Sequence, residues 1–341
     1  MLLLRDAQPS DLPQLSRLAA ALNTMNLPDN REALEGLIGT SVRSFSGEIA
    51  EPKKREYLFV LEDEESGRLW GTCMMIAQHG TYDAPHVYYE VGEREHYSAS
   101  IGRHFRHRVL SIAYNYDGPT EIGGLVVDPE HRSQGAKPGK QLSYVRFLYL
   151  GMHRALFRQR VLAELLPPLT SDGRSLLWEA CGQKFTGLTY QEADRLSRMN
   201  KEFIKELFPS SDIYATLLPD EAQAVLGEVG QQTRGVQRML ERIGFRYAER
   251  IDPFDGGPHF EANVGEITLV QKFLMGRVSE RGEGVALDAL VATERDGGPN
   301  RFRAVRCTAL VEGEEVSLPA DARITLGLSA NEAVALIPFS H

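Results

Sequence analysis

A chain of 341 residues with 42% hydrophobic content is long enough for one large domain and a small one, each with a packed core. A net charge of −9 at 25% charged residues excludes a general nucleic-acid or anionic-membrane surface and leaves room only for a local basic patch, such as a phosphorylated cofactor needs. Cys73, Cys181 and Cys307 stand isolated without CxxC spacing, so buried thiols in a reducing, cytoplasmic compartment are expected, with no disulfide framework and no metal.

The N-terminus meets a charge at Arg5, and no stretch reaches the roughly 18 apolar residues that span a bilayer, so neither secretion nor membrane insertion is expected. Residues 2–5 read as a short apolar strand. Pro9, Ser10 and Asp11 then cap a helix in which Leu12, Leu15, Leu18 and Ala19 recur at helical spacing. Residues 33–45 read as a second amphipathic helix. Two apolar runs, 57–61 and 69–77, flank a polar, glycine-containing stretch and predict a hairpin. Residues 79–116 mix His, Tyr, Glu and Arg without a clean period and are assigned loosely to strand and helix.

A β-prone run at 121–127 ends at Asp128-Pro129 and leads through a glycine- and cation-rich loop into an apolar helix over 142–156. Residues 160–165 predict the next strand, stopped by Pro167-Pro168, and 176–207 a mainly helical stretch with Trp178 in the core. Helices are expected at 222–226 and 236–243, strands at 245–251 and 267–273. From about residue 275 helical periods vanish, and short β runs at 302–305, 316–318 and 333–338 alternate with turns. The expected division is therefore 1–274 and a small β domain, 275–341. The closing segment EEVSLPADARITLGLSANEAVALIPF resembles the end of small double-psi-type barrels.

Strand, glycine loop, helix is the order in which proteins bind phosphate. Gly135 and Gly139 let backbone N–H groups approach a pyrophosphate, and the N-terminus of the next helix adds partial positive charge. Arg132, Lys137 and Lys140 can add charge-assisted contacts. The stretch LVVDPEHRSQGAKPGKQLS, residues 125–143, resembles the acyl-CoA signature of the GNAT acyltransferase superfamily. That resemblance implies an α/β fold with a mixed central sheet. It also implies that the backbone of Leu125, Val126 and Val127 pairs with the pantetheine arm, one N–H polarising the thioester carbonyl. A single such donor is typically worth ~3 kcal/mol in the transition state.

Further segments in chain order are similar to the arginine N-succinyltransferase family, which includes the subunits of arginine/ornithine succinyltransferase: LPDNREALEGLIGTSVRSF, EYLFVLEDEESGRLWGT, LSYVRFLYL, AEL, FIKELFP, IYATLLPDEAQAVLG and IDPFDGGP. The resemblance implies succinyl transfer from succinyl-CoA, as co-substrate, to the α-amine of arginine or ornithine, with no permanently bound cofactor. It also implies a homodimer, or a heterodimer with a paralogous subunit. Two departures stand out. Where the family commonly carries a proton-transferring His in a Val-His-Pro pattern, this chain has Gly230, and where relatives tend to carry Arg-Gly after AEL, it has Leu166-Pro167. The loop also runs about two residues longer between Arg132 and Ser143.

Candidates for the missing proton acceptor are Glu121, on the strand before the loop, and His259, expected in a mobile turn after DGGP. His131, beside Arg132, suits phosphate contact better than base catalysis. Arg146, in the segment matching the family's SRSRF, is a candidate to grip a substrate carboxylate. Two alternatives stay open: a non-catalytic partner subunit that keeps the fold, and an acyltransferase with a different amine or acyl group.

Overall fold

The computed structural model describes residues 1–341 except 23–26, 29, 83, 198–199, 296, 298–299 and 341. The chain opens with β1 (Leu2–Asp6), α1 (Leu12–Leu22), α2 (Arg31–Phe45), β2 (Glu56–Asp63) and β3 (Arg68–Ile76). Two long strands follow, β4 (His86–Ser98) and β5 (Arg103–Asn115), then β6 (Thr120–Val127), α3 (Pro138–Met152) and β7 (Arg160–Glu164). A π-helical turn over Trp178–Gly182 runs into α4 (Gln183–Thr186), followed by α5 (Tyr190–Ser197), α6 (Glu202–Leu207), β8 (Ile213–Tyr214), α7 (Asp220–Val225) and α8 (Arg234–Arg242). Next come β9 (Arg246–Ile251), β10 (Pro258–Asn263), α9 (Thr268–Gln271), β11 (Leu274–Val278) and β12 (Val285–Glu294). The chain closes with β13 (Phe302–Glu312), β14 (Glu315–Ser317), α10 (Ala320–Leu326) and β15 (Ala333–Pro338).

These elements gather into two compact units. The first holds Met1–Gln78, Thr120–Gln159 and Val264–His341. Its strands run in the order β12-β15-β11-β14-β13-β1-β2-β3-β6, and pairing of β12 with β13 closes the first five into a barrel. The sheet is mixed, because β11 pairs parallel with β14 while its other ladders are antiparallel. Leu15, Leu18, Leu34 and Ile38 of α1 and α2 pack on Leu58, Val60, Met74 and Val126 of one sheet face. On α3, Tyr149 meets Phe59 edge-on at 5.4 Å and Phe302 at 5.4 Å, offset edge-to-face geometry that aromatic rings favour. Inside the barrel, Val291, Val305, Ala309 and Leu336 pack with Ala322 and Leu326 of α10.

The second unit holds His79–Pro119 and Arg160–Asn263. Its strands run β7-β10-β9-β4-β5-β8, all antiparallel. Trp178 is fully buried, stacks on Phe254 at 5.0 Å and donates its indole N–H to the Leu188 carbonyl, so it packs in the core as expected.

Three local expectations are corrected. Residues 79–116 contain a two-stranded hairpin and, among the described residues, no helix; the hairpin's outer half is exposed, and exposed strands have no need of the alternation that marks a half-buried one. Residues 267–273 read as a strand because Ile267, Thr268 and Val270 are β-branched, yet they form the single helical turn α9 and the strand begins at Leu274. The segment after DGGP is a strand, β10, and no loose turn.

Candidate functional site

The loop after β6 is made mostly of backbone. Opposite Cys73 the ladder between β3 and β6 slips, with Thr72 facing Val126 but Met74 facing Gly123. Gly124 makes this bulge possible: its φ is +56°, and a Cβ there would lie 2.8 Å from Met74 Cγ. The bulge re-aims the peptide groups of Leu125, half-buried like Val127, while Val126 faces the core.

Asp128 closes the strand, its carboxylate accepting from the Glu130 amide at 3.1 Å. Arg132 folds back to donate from Nε to the Val127 carbonyl at 3.1 Å and is otherwise exposed. His131 stacks on Trp70 with ring centroids 4.1 Å apart and sits 2.9 Å from the Gln134 amide nitrogen. Gly135 is exposed with open space where a Cβ would stand, and a Cβ on Gly139 would meet Val127 Cγ2 at an ordinary 3.7 Å. Lys137 takes a left-handed φ of 55°, exposed, immediately before Pro138 starts α3 at the position where proline's missing N–H costs nothing. Lys140 is committed elsewhere: its ammonium donates to the Phe339 carbonyl and lies 4.6 Å from that ring's centroid.

Arg146 is buried on α3, away from the helix surface. It donates to the Ser143 carbonyl and hydroxyl and, at 3.4 Å, to the Gly123 carbonyl beside the bulge. Burial lowers its pKa. Glu121 is buried on β6; it and Glu56 both pair with Ile76 of the strand between them. Burial, then Glu121, raises the Glu56 carboxyl. Glu56 also borders a cavity of 580 Å³ lined by Thr40, Arg43, Glu48 and Lys54.

The second unit holds a cluster that no motif announced. His259 is not on a mobile surface turn: it is fully buried on β10, directly opposite Glu164 of β7, with Nε2 3.5 Å from Glu164 Oε1. His86, the first residue of β4, places its own Nε2 3.2 Å from the same oxygen. The rings of His86 and His259 stack at 5.2 Å, and His79 meets His86 edge-on at 4.6 Å. Burial drives both His86 and His259 down to about 4, so each is neutral at pH 7. Burial works to raise Glu164, but His259 and then His86 outweigh it and hold the carboxylate well below its ordinary range. Asp252, raised to about 7 by burial and then by Glu164, completes the surroundings. The sequence carried one signal for this group, the histidine after DGGP; His79, His86 and Glu164 lie too far apart in the chain to be read together.

Gly230 and the Leu166-Pro167 pair, far apart in sequence, meet in the structure. Gly230 donates its N–H to the Leu166 carbonyl at 2.8 Å, and a Cβ on it would lie 2.7 Å from the Pro167 carbonyl oxygen. A histidine therefore cannot stand at 230 while the Leu166-Pro167 backbone keeps this path. The thiols offer no nucleophile: Cys73 and Cys307 are pushed up to about 12 by burial, and Cys181 is raised for the same reason.

A bulged strand, an open glycine loop and a helix start, joined to a closed five-stranded barrel, define an α/β protein with a mixed sheet. Comparison with known proteins makes this specific. The profile described as arginine N-succinyltransferase beta subunit matches residues 2–269. Proteins called arginine N-succinyltransferase from Salmonella paratyphi B and Salmonella typhimurium are each 32% identical over 99% of this chain and 97% of their own. The solved arginine/ornithine succinyltransferase subunit AI from Pseudomonas aeruginosa superposes with a TM-score of 0.84 at 30% identity, covering 100% of this chain and 99% of that one. The chain belongs to the arginine N-succinyltransferase family.

Proposed function

We propose that the protein is a GNAT-type N-acyltransferase that moves a succinyl group from succinyl-CoA to the α-amine of L-arginine or L-ornithine, in arginine degradation. The observation that carries this is the likeness to a succinyltransferase subunit over the full length of both chains. In this reading Leu125, Val126 and Val127 present backbone groups to the pantetheine arm and thioester. Arg132, Gly135, Lys137 and Gly139 surround the pyrophosphate, with Lys140 reaching it only on leaving Phe339. Arg146, bonded to Gly123, supports the bulge from behind as well as being the candidate for a substrate carboxylate.

The amine attacks as the free base, forms the tetrahedral intermediate and expels CoA as thiolate, so one proton must be accepted from the nitrogen. His259 is favoured over Glu121 for this, because it is a neutral imidazole held against an ionised carboxylate. A second reading, a partner subunit without catalysis, is favoured by the packing that bars a side chain from position 230. Among the described residues no helix is long and apolar enough to cross a membrane. A cytoplasmic homodimer, or heterodimer with a paralogue, fits the family. The division into an acyltransferase region, 1–274, and a β domain, 275–341, is proposed on the same footing.

Thiol release from succinyl-CoA and, separately, acetyl-CoA, each with and without L-arginine or L-ornithine, tests this reading. Arginine- or ornithine-dependent release from succinyl-CoA is expected. CoA binding without release for any amine would support the partner-subunit reading instead.

A further inference from the structure

The second unit contains more imidazole than a proton transfer uses. His79, His86 and Glu164 each offer one ligating atom, and the three atoms all lie within 4.8 Å of one another. We propose that these three side chains bind a divalent transition-metal ion of the zinc class.

One of the three spacings already has the length such an ion needs. Bonds of 2.0–2.1 Å at a tetrahedral centre put neighbouring ligand atoms about 3.3 Å apart. His86 Nε2 and Glu164 Oε1 are 3.2 Å apart, long for a charge-assisted hydrogen bond and correct for an edge of that polyhedron. The donor set, two imidazoles and a carboxylate, is one that zinc and its first-row neighbours take.

A second observation points the same way. Both ring nitrogens of His259 are buried with no hydrogen-bond partner among the described residues. Buried polar atoms are nearly always satisfied, and an absent ion or its bound water is a standard reason when they are not. His259 stands next to the third ligand, 3.5 Å from Glu164 Oε1, within reach of a water bound to the ion.

The scaffold holds the ligands firmly. His86 starts β4 opposite Asn115, and Glu164 ends β7 opposite His259. His79 is fixed through its backbone, its N–H donating to the Pro119 carbonyl at 2.8 Å and its carbonyl accepting from Gly118 at 3.0 Å. It is half-buried, which leaves a way in for the ion. The contrast with Asp128, Glu130 and His131, also close enough to share a cation, is instructive: there Arg17 and Arg68 already answer the carboxylates.

The test uses full-length protein without a polyhistidine tag, stripped with a chelator and titrated with Co2+, whose four-coordinate complexes absorb visibly, then with Zn2+ by calorimetry. One equivalent per chain is expected, with Zn2+ displacing Co2+. His79→Ala and Glu164→Gln should each weaken binding by ~100-fold or more and abolish the band, and His104→Ala, on the exposed hairpin, should change nothing. Absence of saturable one-equivalent binding, or binding retained in both variants, would overturn the proposal. Should Glu164→Gln fail to fold by circular dichroism, His79→Ala, in the half-buried loop, decides alone. The readout is binding, so it stands apart from whether succinyl transfer is found.

Discussion

The loop after β6 and the histidine cluster around Glu164 solve opposite problems. The first is a backbone device, with a bulge at Gly124, an open Gly135 and a proline-started helix, and its charged side chains are mostly exposed or, like Lys140, tied to another strand. The second is a side-chain device on β4, β7 and β10, its two strand histidines buried and Glu164 half-buried, whose protonation states are set by desolvation and by one carboxylate. Backbone devices are contiguous in sequence, because neighbouring peptide groups do the work. Side-chain devices are assembled by the sheet from residues far apart.

Four substitutions probe that contrast, the largest effect first. His259→Gln should cut turnover by about 100- to 10,000-fold with little change in the KM for succinyl-CoA, seen in initial rates at saturating arginine. A normal rate would move the proton acceptor to Glu121, where Glu121→Gln would then carry the loss.

Asp6 is the counter-case to Glu164, a buried carboxyl that burial raises to about 6 although the Phe302 amide bonds to it at 3.0 Å. Its unfolded value is near 3.9, so from pH 4 to 6 the folded chain keeps a proton that the unfolded chain has released. Stability should therefore fall with rising pH across that window, by roughly 2–3 kcal/mol, and be level above it. Asp6→Asn should flatten this slope in denaturant titrations at several pH values.

Gly230→Ala should cost about 1–3 kcal/mol, because its Cβ would press on the Pro167 carbonyl. A lowered Tm is the sign, and an unchanged Tm would mean the Leu166-Pro167 path yields easily. Lys137→Gly should give the smallest effect, up to about 1 kcal/mol of stabilisation from relief of the left-handed φ. If the ammonium meets phosphate, the KM for succinyl-CoA should rise at the same time, which separates the two roles of that residue.

Much of the first unit was legible before the structure. Leu12, Leu15 and Leu18 announced α1 by their spacing, and Gly67 and its polar neighbours announced the β2–β3 turn, while the helix expected over 142–156 starts earlier, at Pro138, and ends at Met152. The closing barrel was foreshadowed by Gly327 after a short helix. What escaped notice was non-local. β12 was not read although it pairs along its whole length with β13, and β10 was hidden behind a turn signal. His259 was noticed and wrongly placed, since nothing in PHFEAN says that Glu164 lies across from it. The meaning of Gly230 emerged only when Leu166-Pro167 was found occupying its side-chain space.

The most direct test of the account is to incubate the protein with succinyl-CoA and L-arginine and locate the new acyl group by mass spectrometry with fragmentation. The account predicts one succinyl group on the α-nitrogen for each CoA released. Release of CoA with no succinylated arginine, or a succinyl group on the guanidino nitrogen, would contradict it.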